Sequence, residues 1–111
     1  MNHDLICKGL EKRLNKLGCY TWLNEEYRVN GQCGECDVFG INLTDRVAYI
    51  GEVKETDGPK HRLKAKSQLD KDVNYYTKLF KGFDNLAIHT FYAYSAHTRR
   101  GYYAKRLKII I

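Results

Sequence analysis

Apolar residues recur along the chain with two different spacings, one typical of helices and one typical of strands. Helical spacing begins near the N-terminus and predicts a helix over residues 4–17, which Gly18 would end. The apolar positions on one face of that helix are Ile6, Leu10, Leu14 and Leu17. A short strand is predicted over residues 20–23, and the polar stretch 24–32 is predicted to be a loop.

The next two segments, GECDVFGIN and RVAYIGEVK, each alternate between polar and apolar residues over the length of a strand. We expect an antiparallel hairpin in which residues 43–46 form the loop, a common loop length. The opposed pairs are then Asn42 and Val47, Ile41 and Ala48, Phe39 and Ile50, Asp37 and Glu52, and Glu35 and Lys54. Opposed residues share a sheet face, with Cβ atoms about 5 Å apart. One face is therefore apolar near the turn and carries acids and a lysine at its open end.

The second half of the chain predicts a long helix followed by strands. Residues 56–59, with the sequence TDGP, indicate a turn, and helical spacing then continues over residues 61–81 until Gly82. The apolar stripe of this helix is Leu69, Val73, Tyr76 and Phe80. Strands are predicted over residues 86–94 and 102–111. This element order predicts an α/β fold with a mixed four- to five-stranded sheet, in which a β-hairpin meander is flanked by helices.

Composition is that of one globular domain, residues 1–111, with 43% hydrophobic residues and a single proline. No apolar run approaches the roughly 20 residues that cross a bilayer. The first ten residues are too polar for a secretory signal. These features predict an intracellular, cytoplasmic protein with no membrane partner.

The net charge of +6 is unevenly placed, since no acid follows Asp84. Two basic clusters suit the phosphate backbone of DNA, where each neutralised phosphate releases a counterion. The predicted DNA-binding residues are Lys60, Arg62, Lys64 and Lys66 in the first cluster, and Arg99, Arg100, Lys105 and Arg106 in the second. The alternative is that each cluster is a solvated face that keeps the protein soluble.

The acids at the open end of the hairpin indicate a metal site, because closely packed carboxylates repel each other unless a positive charge lies between them. Asp37 and Glu52 are predicted to hold a divalent cation, with the backbone carbonyl of Val53 as a further ligand. Lys54 would add a second positive charge beside these acids. The alternative for Lys54 is a cross-strand pair with Glu35. Glu35, on the same face as Asp37, could contact a second metal or support the first, or could be an exposed acid at the rim.

Four cysteines allow a second kind of metal site. Cys33 and Cys36 have the two-residue gap of a zinc knuckle, but the chain lacks a second such pair. Cys36 should also point to the sheet face opposite Asp37. We therefore expect small buried cysteines or a disulfide rather than a cysteine-bound metal.

The strings GECDV at residues 34–38 and GEVK at residues 51–54 resemble those of the PD-(D/E)XK nuclease superfamily. The core of that family, the restriction-endonuclease-like fold, is a helix, a three-stranded meander, a helix and a further strand. The resemblance implies that Asp37 and Glu52 bind Mg²⁺ or Mn²⁺ and that Lys54 contacts the attacking water. The proline that often precedes the first acid is absent here, and Cys36 stands in its place.

Two auxiliary residues also match that family. Many members carry a glutamate on the first helix and a glutamine on the helix after the triplet, and Glu11 and Gln68 lie at those places. Either could instead be an ordinary helix-surface side chain. Asp72, one turn after Gln68, would lie on a polar side of the helix that faces substrate, or on a solvent-exposed edge of the helix.

The resulting prediction is a metal-dependent DNA nuclease. A non-catalytic nucleic-acid-binding domain of the same fold is the first alternative. The second is a Holliday-junction resolvase, since archaeal resolvases have a similar size and layout, although their serine before the first acid is missing from residues 24–36. A resolvase needs two active sites and hence a homodimer, to which the apolar residues 109–111 could contribute an interface, or these residues could form an internal strand instead.

Overall fold

The chain folds into a five-stranded mixed sheet with a helix packed on each face. The computed structural model describes residues 3–56, 58–96 and 106–110, with side chains over residues 3–56 and 58–95. The elements are α1 (His3–Lys16), β1 (Tyr20–Val29), β2 (Gln32–Asn42), β3 (Val47–Lys54), α2 (Pro59–Leu79), β4 (Ala87–Ala96) and β5 (Arg106–Ile110). The predicted α/β class and mixed sheet are confirmed. Of the described helices, none is long and apolar enough to cross a bilayer.

Strand order in the sheet is β1-β2-β3-β4-β5, the same as the order along the chain. Neighbouring strands run antiparallel except β3 and β4, which are parallel. A parallel pair needs a crossover connection, and α2 provides it. The end of β3 and the beginning of α2 consequently meet at one edge of the sheet, where ligands commonly bind in open α/β sheets.

The hairpin register is as predicted near the turn, where Asn42 pairs with Val47 and Phe39 with Ile50. The β2–β3 ladder ends at Val38 and Gly51, so the predicted pairing of Asp37 with Glu52 and that of Glu35 with Lys54 are not part of it. The β1–β2 ladder is also interrupted at this level, because Asn24, which would face Asp37, has a positive φ of 52°. Beyond this interruption, β1 and β2 continue as a two-stranded arm, in which residues 25–29 pair with residues 32–36.

The prediction of a loop over residues 24–32 is wrong, because β1 and β2 extend through it. Asn30 and Gly31 form the tight turn of this arm, with φ of 50° and 79°, as a two-residue turn with both central residues left-handed requires. The arm lies outside the β2–β3 pairing, so most of its side chains meet water, and Glu25, Glu26 and Arg28 are exposed. Its polar residues therefore break the alternation that identifies a half-buried strand.

The apolar stripe of each helix packs on its own sheet face. Ile6, Leu10 and Leu14 of α1 are buried, whereas Leu17, expected on the same stripe, follows the helix and is 57% exposed. On the other face the stripe of α2 is as predicted, with Tyr76 stacked on Phe39 at 4.0 Å between ring centroids. Helix α2 begins at Pro59 rather than residue 61, since proline suits the first helical turn, and it ends at Leu79.

Cysteines serve mainly as core side chains. Cys7, Cys19 and Cys36 are buried, Cys33 is exposed, and all four are free thiols. Cys36 packs with Phe39 on the α2 face, although strict alternation would place them on opposite faces. The change of side falls at Asp37, where the pairing of β2 with both neighbouring strands is interrupted.

The last strand is observed over Arg106–Ile110, where Ile109 and Ile110 pair with Ala93 and Tyr92. The remainder of the predicted strand, residues 102–105 and 111, lies outside the described part of the chain.

Candidate functional site

A cleft of about 730 Å³ opens where β3 ends and α2 begins. Residues predicted from the sequence to act together line it: Asp37, Glu52, Val53, Lys54 and Gln68. They come from β2, from the end of β3 and from the third turn of α2. The structure therefore brings these five predicted residues into one place.

Asp37 is held by the backbone of the neighbouring strand. Its Oδ2 accepts a hydrogen bond from the N–H of Val53 at 2.8 Å, although the regular ladder has already ended. The side chain remains 11% exposed, at the floor of the cleft. A carboxylate fixed by a backbone donor keeps a defined position for a ligand.

Glu52 is almost completely buried, with 3% of its surface exposed. Burial, together with the nearby carboxyl groups of Asp37 and Asp72, raises the pKa of Glu52 from 4.5 to about 10. Its Oε1 has no hydrogen-bond donor among the described residues. A buried oxygen without a donor is costly, and either a proton or a cation would relieve that cost.

Asp72 lies behind Glu52 and is fully buried. It therefore neither faces a substrate nor lies on a solvent-exposed edge of the helix. Its Oδ1 accepts hydrogen bonds from the Tyr27 hydroxyl at 2.5 Å and from Gln68 Nε2 at 2.9 Å. Burial raises the pKa of Asp72, and these two donors act against that rise. The sequence did carry one signal of burial, because position 72 lies between Leu69 and Tyr76 on the buried stripe of α2.

Gln68 is oriented by contacts inside the protein. Besides its bond to Asp72, its Nε2 donates to the backbone carbonyl of Glu35 at 2.9 Å. The side chain thus joins α2 to β2 at the rim of the cleft. It is half-buried and not a plain surface glutamine.

Lys54 is half-buried and lines the cleft. Within the part of the chain that the structure describes, no carboxylate lies within 4 Å of its ammonium group, so the alternative of an ion pair with Glu35 is not formed. A lysine that faces a carboxylate-lined cleft without an ion-pair partner is available to a substrate or a water molecule.

His3 belongs to the site, although no pattern in the sequence indicates it. Its Nε2 lies 3.3 Å from Asp37 Oδ2, and its backbone N–H donates to Glu55 at 3.2 Å. Glu11, predicted from the first helix, does not line the cleft. It lies eight residues further along α1, about 12 Å away along the axis at 1.5 Å per residue. Only the way in which α1 docks on the sheet decides which of the two reaches the site.

The carboxylate oxygens at this site suit a hard divalent cation as ligands. Asp37 and Glu52 offer carboxylate oxygens, which Mg²⁺ and Mn²⁺ prefer, and Mg²⁺ usually takes only one or two carboxylates and keeps its waters. Glu52 Oε1, buried and without a donor from the described chain, is the atom that such an ion would satisfy. As they stand, the described residues contain no group of three or more His, Cys, Asp or Glu side chains spaced to hold a metal.

Basic residues surround this cleft unevenly. Lys60, Arg62, Lys64 and Lys66 are all exposed at the start of α2. Of these four, only Lys64 lines the cleft, and Lys66 instead pairs with Asp70 at 3.6 Å. Arg99, Arg100 and Lys105 lie outside the described residues, and Arg106 opens β5 without a described side chain.

Comparison of the chain with protein-family models, with curated proteins and with solved structures finds no match. The resemblance to the PD-(D/E)XK nucleases therefore rests on the residues themselves and on the element order, and it stays a prediction.

Proposed function

We propose that this protein is a metal-dependent nuclease that hydrolyses phosphodiester bonds in DNA. The observation that carries the proposal is the contact of two buried carboxyl groups, Asp37 and Glu52, at the floor of a cleft that also contains Lys54. The first six elements, a helix, three antiparallel strands, a helix and a further strand, have the order that the resemblance implies, and β5 follows them.

Each residue has a distinct task in this proposal. Asp37 and Glu52, with the backbone carbonyl of Val53, would hold Mg²⁺ or Mn²⁺, which when bound supplies an activated water and positive charge next to the phosphate. Lys54 orients that water and offsets negative charge in the transition state. Gln68 fixes the rim of the cleft through its bonds to Glu35 and Asp72. Lys64, exposed on the wall formed by α2, contacts the DNA backbone.

An intracellular location belongs to the same proposal, because the proposed substrate lies inside cells. A homodimer belongs to it only if the substrate is a four-way junction, which needs two symmetric cuts.

A second candidate is a nucleic-acid-binding domain without catalysis. The absence of a preformed group of three metal-binding side chains among the described residues favours it. A pure binder would show salt-dependent affinity for DNA and would form no metal-dependent products.

A cleavage panel tests the proposal. Single-stranded, duplex, flapped and four-way DNA would be incubated with the wild type, with Asp37→Ala and with Asp84→Ala, in Mg²⁺, in Mn²⁺ and in EDTA. Asp84 is an exposed aspartate in the turn before β4, at the opposite end of the sheet, and serves as a matched control. We expect products with the wild type and Asp84→Ala in either metal, and none with Asp37→Ala or in EDTA.

Equal product formation by Asp37→Ala and the wild type would refute the assignment, since it would trace the activity to a contaminant. Binding without products from any substrate would favour the second candidate.

A further inference from the structure

Behind the proposed metal ligands lies a partly buried chain of contacting side chains that joins the sheet to α2. The Tyr27 hydroxyl donates to Asp72 Oδ1 at 2.5 Å, and the Asp72 carboxyl in turn contacts that of Glu52. Tyr27 and Asp72 are 45 residues apart in the sequence and come from β1 and α2. The chain thus runs from the two-stranded arm to the floor of the cleft.

The Tyr27 ring has little freedom to move. It stacks on Tyr75 with 4.2 Å between ring centroids and 10° between planes. Gly34, its cross-strand partner, lies against the ring, so that a side-chain Cβ there would overlap the ring atoms. The ring therefore packs against α2 and the backbone of β2, which restricts the positions that its hydroxyl can take relative to Asp72.

Stability does not explain a carboxyl group at position 72. A fully buried carboxyl group is costly, and replacing buried ionisable groups with well-packed apolar ones is often neutral or stabilising. In addition, Asp72 Oδ2 and Glu52 Oε1 lack a donor from the rest of the described residues. A buried arrangement that is only partly satisfied indicates a role at a functional site.

We propose that Tyr27 and Asp72 are positioning residues for Glu52. Tyr27 holds Asp72 in place, and Asp72 holds the Glu52 carboxyl turned toward Asp37, so that both oxygens of the ligand pair face one point on the cleft floor. This inference rests on the proposed function. Partners of this kind, which touch the ligands rather than the metal, orient metal sites generally, and their loss typically weakens metal binding 10- to 100-fold.

Direct Mn²⁺ titration of the full chain tests the inference without DNA or catalysis. Isothermal titration calorimetry would compare the wild type with Tyr27→Phe, which removes only the hydroxyl and keeps the stacked ring. Tyr75→Phe is the matched control, because it removes a hydroxyl from the other member of the same stacked pair. We expect Tyr27→Phe to raise the Kd for Mn²⁺ about tenfold and Tyr75→Phe to leave it within about twofold of the wild type.

Two substitutions of Asp72 distinguish a role of its hydrogen bonds in positioning Glu52 from a role of its negative charge. Asp72→Asn keeps the shape, accepts from Tyr27 through its oxygen and donates to Glu52 through its amide, so it should bind Mn²⁺ at least as tightly as the wild type. Asp72→Ala lacks both contacts and should bind at least tenfold more weakly. Melting temperatures measured in parallel identify a variant that loses binding because it has unfolded.

The outcomes are distinguishable. If the wild type binds no Mn²⁺ at millimolar concentration, the metal centre and this inference both fail. If the wild type binds Mn²⁺ and Tyr27→Phe binds it as tightly as Tyr75→Phe does, the positioning role is wrong while the proposed function stands. Loss of binding in a folded Asp72→Asn would also overturn the inference, because it would make the charge of Asp72 the requirement.

Discussion

The carboxylate of Asp37 takes a hydrogen bond from the backbone N–H of Val53, at 2.8 Å, just beyond the last regular pair of the β2–β3 ladder. The Asp37 side chain therefore accepts the hydrogen bond that a backbone carbonyl of β2 would accept if the ladder continued. Because the donor is the residue after Glu52, the same short piece of β3 positions both acids. Beyond this point the two strands are no longer paired, and the floor of the cleft lies there.

Substitution of Glu52 should stabilise the protein while it inactivates the site. Burial and the neighbouring carboxyl groups raise the pKa of Glu52 from 4.5 to about 10, so the unfolded chain releases this proton at a lower pH than the folded one. The stabilisation from keeping the proton is complete below about pH 4.5 and is lost as pH rises toward 10. In EDTA at pH 8, Glu52→Gln should melt roughly 4 °C or more above the wild type, and near pH 4 the two should melt together. Melting curves between pH 4 and pH 8 measure this, and a pH-independent difference would contradict it.

Loss of the Lys54 ammonium group should slow cleavage without weakening metal binding. Lys54 makes no ion pair with a described carboxylate, so its removal leaves Asp37 and Glu52 in place. We expect Lys54→Met to lower kcat roughly 100-fold, the scale of a lost proton-transfer or water-orienting group, with an unchanged Kd for Mn²⁺. Lys8→Met, at an exposed position of α1, is the control. A matching loss of Mn²⁺ affinity would instead make Lys54 a structural residue.

Removal of the His3 imidazole should change which metal supports cleavage best. His3 Nε2 lies 3.3 Å from Asp37 Oδ2, close enough to contribute a nitrogen donor beside the carboxylates. Nitrogen ligands suit transition metals better than Mg²⁺, which prefers oxygen. We expect His3→Ala to lower Mn²⁺-supported cleavage about tenfold and Mg²⁺-supported cleavage much less. His89→Ala, whose ring stacks on Tyr49 away from the cleft, should leave the Mn²⁺ to Mg²⁺ ratio unaltered. An equal loss in both metals would argue against a ligand role for His3.

Two neighbouring lysines of α2 should contribute differently to DNA binding. Lys64 lines the cleft, whereas Lys66 is engaged with Asp70 at 3.6 Å. In an Asp37→Ala background in EDTA, Lys64→Ala should weaken DNA binding and reduce the slope of log K against log salt by about one, as expected for one lost phosphate contact. Lys66→Ala should change the slope much less. Binding curves at several salt concentrations compare the two, and equal slopes would indicate that bound DNA does not pass along the cleft.

The parts of the site that the sequence could predict are those joined by local structure. Asp37 and Glu52 lie on two strands connected by a four-residue turn, so the two-residue period and the turn length were enough to bring them together. The contact of Tyr27 with Asp72 spans 45 residues and depends on the arm folding over α2, which no short-range pattern encodes. His3 was missed for a similar reason, since its approach to Asp37 depends on how α1 docks. The arm itself was predictable in part, because Asn30-Gly31 is a strong two-residue turn signal.

The parallel crossover through α2 also has a consequence for the order in which the chain folds. The hairpin that joins Asp37 to Val53 closes across 16 residues, whereas Tyr27 reaches Asp72 across 45. Local contacts form before distant ones, because closing a longer loop costs more chain entropy. We therefore expect the acids to meet while they are still in water, and to be desolvated only when α2 docks late. Amide hydrogen exchange during refolding should then protect β2 and β3 before α2.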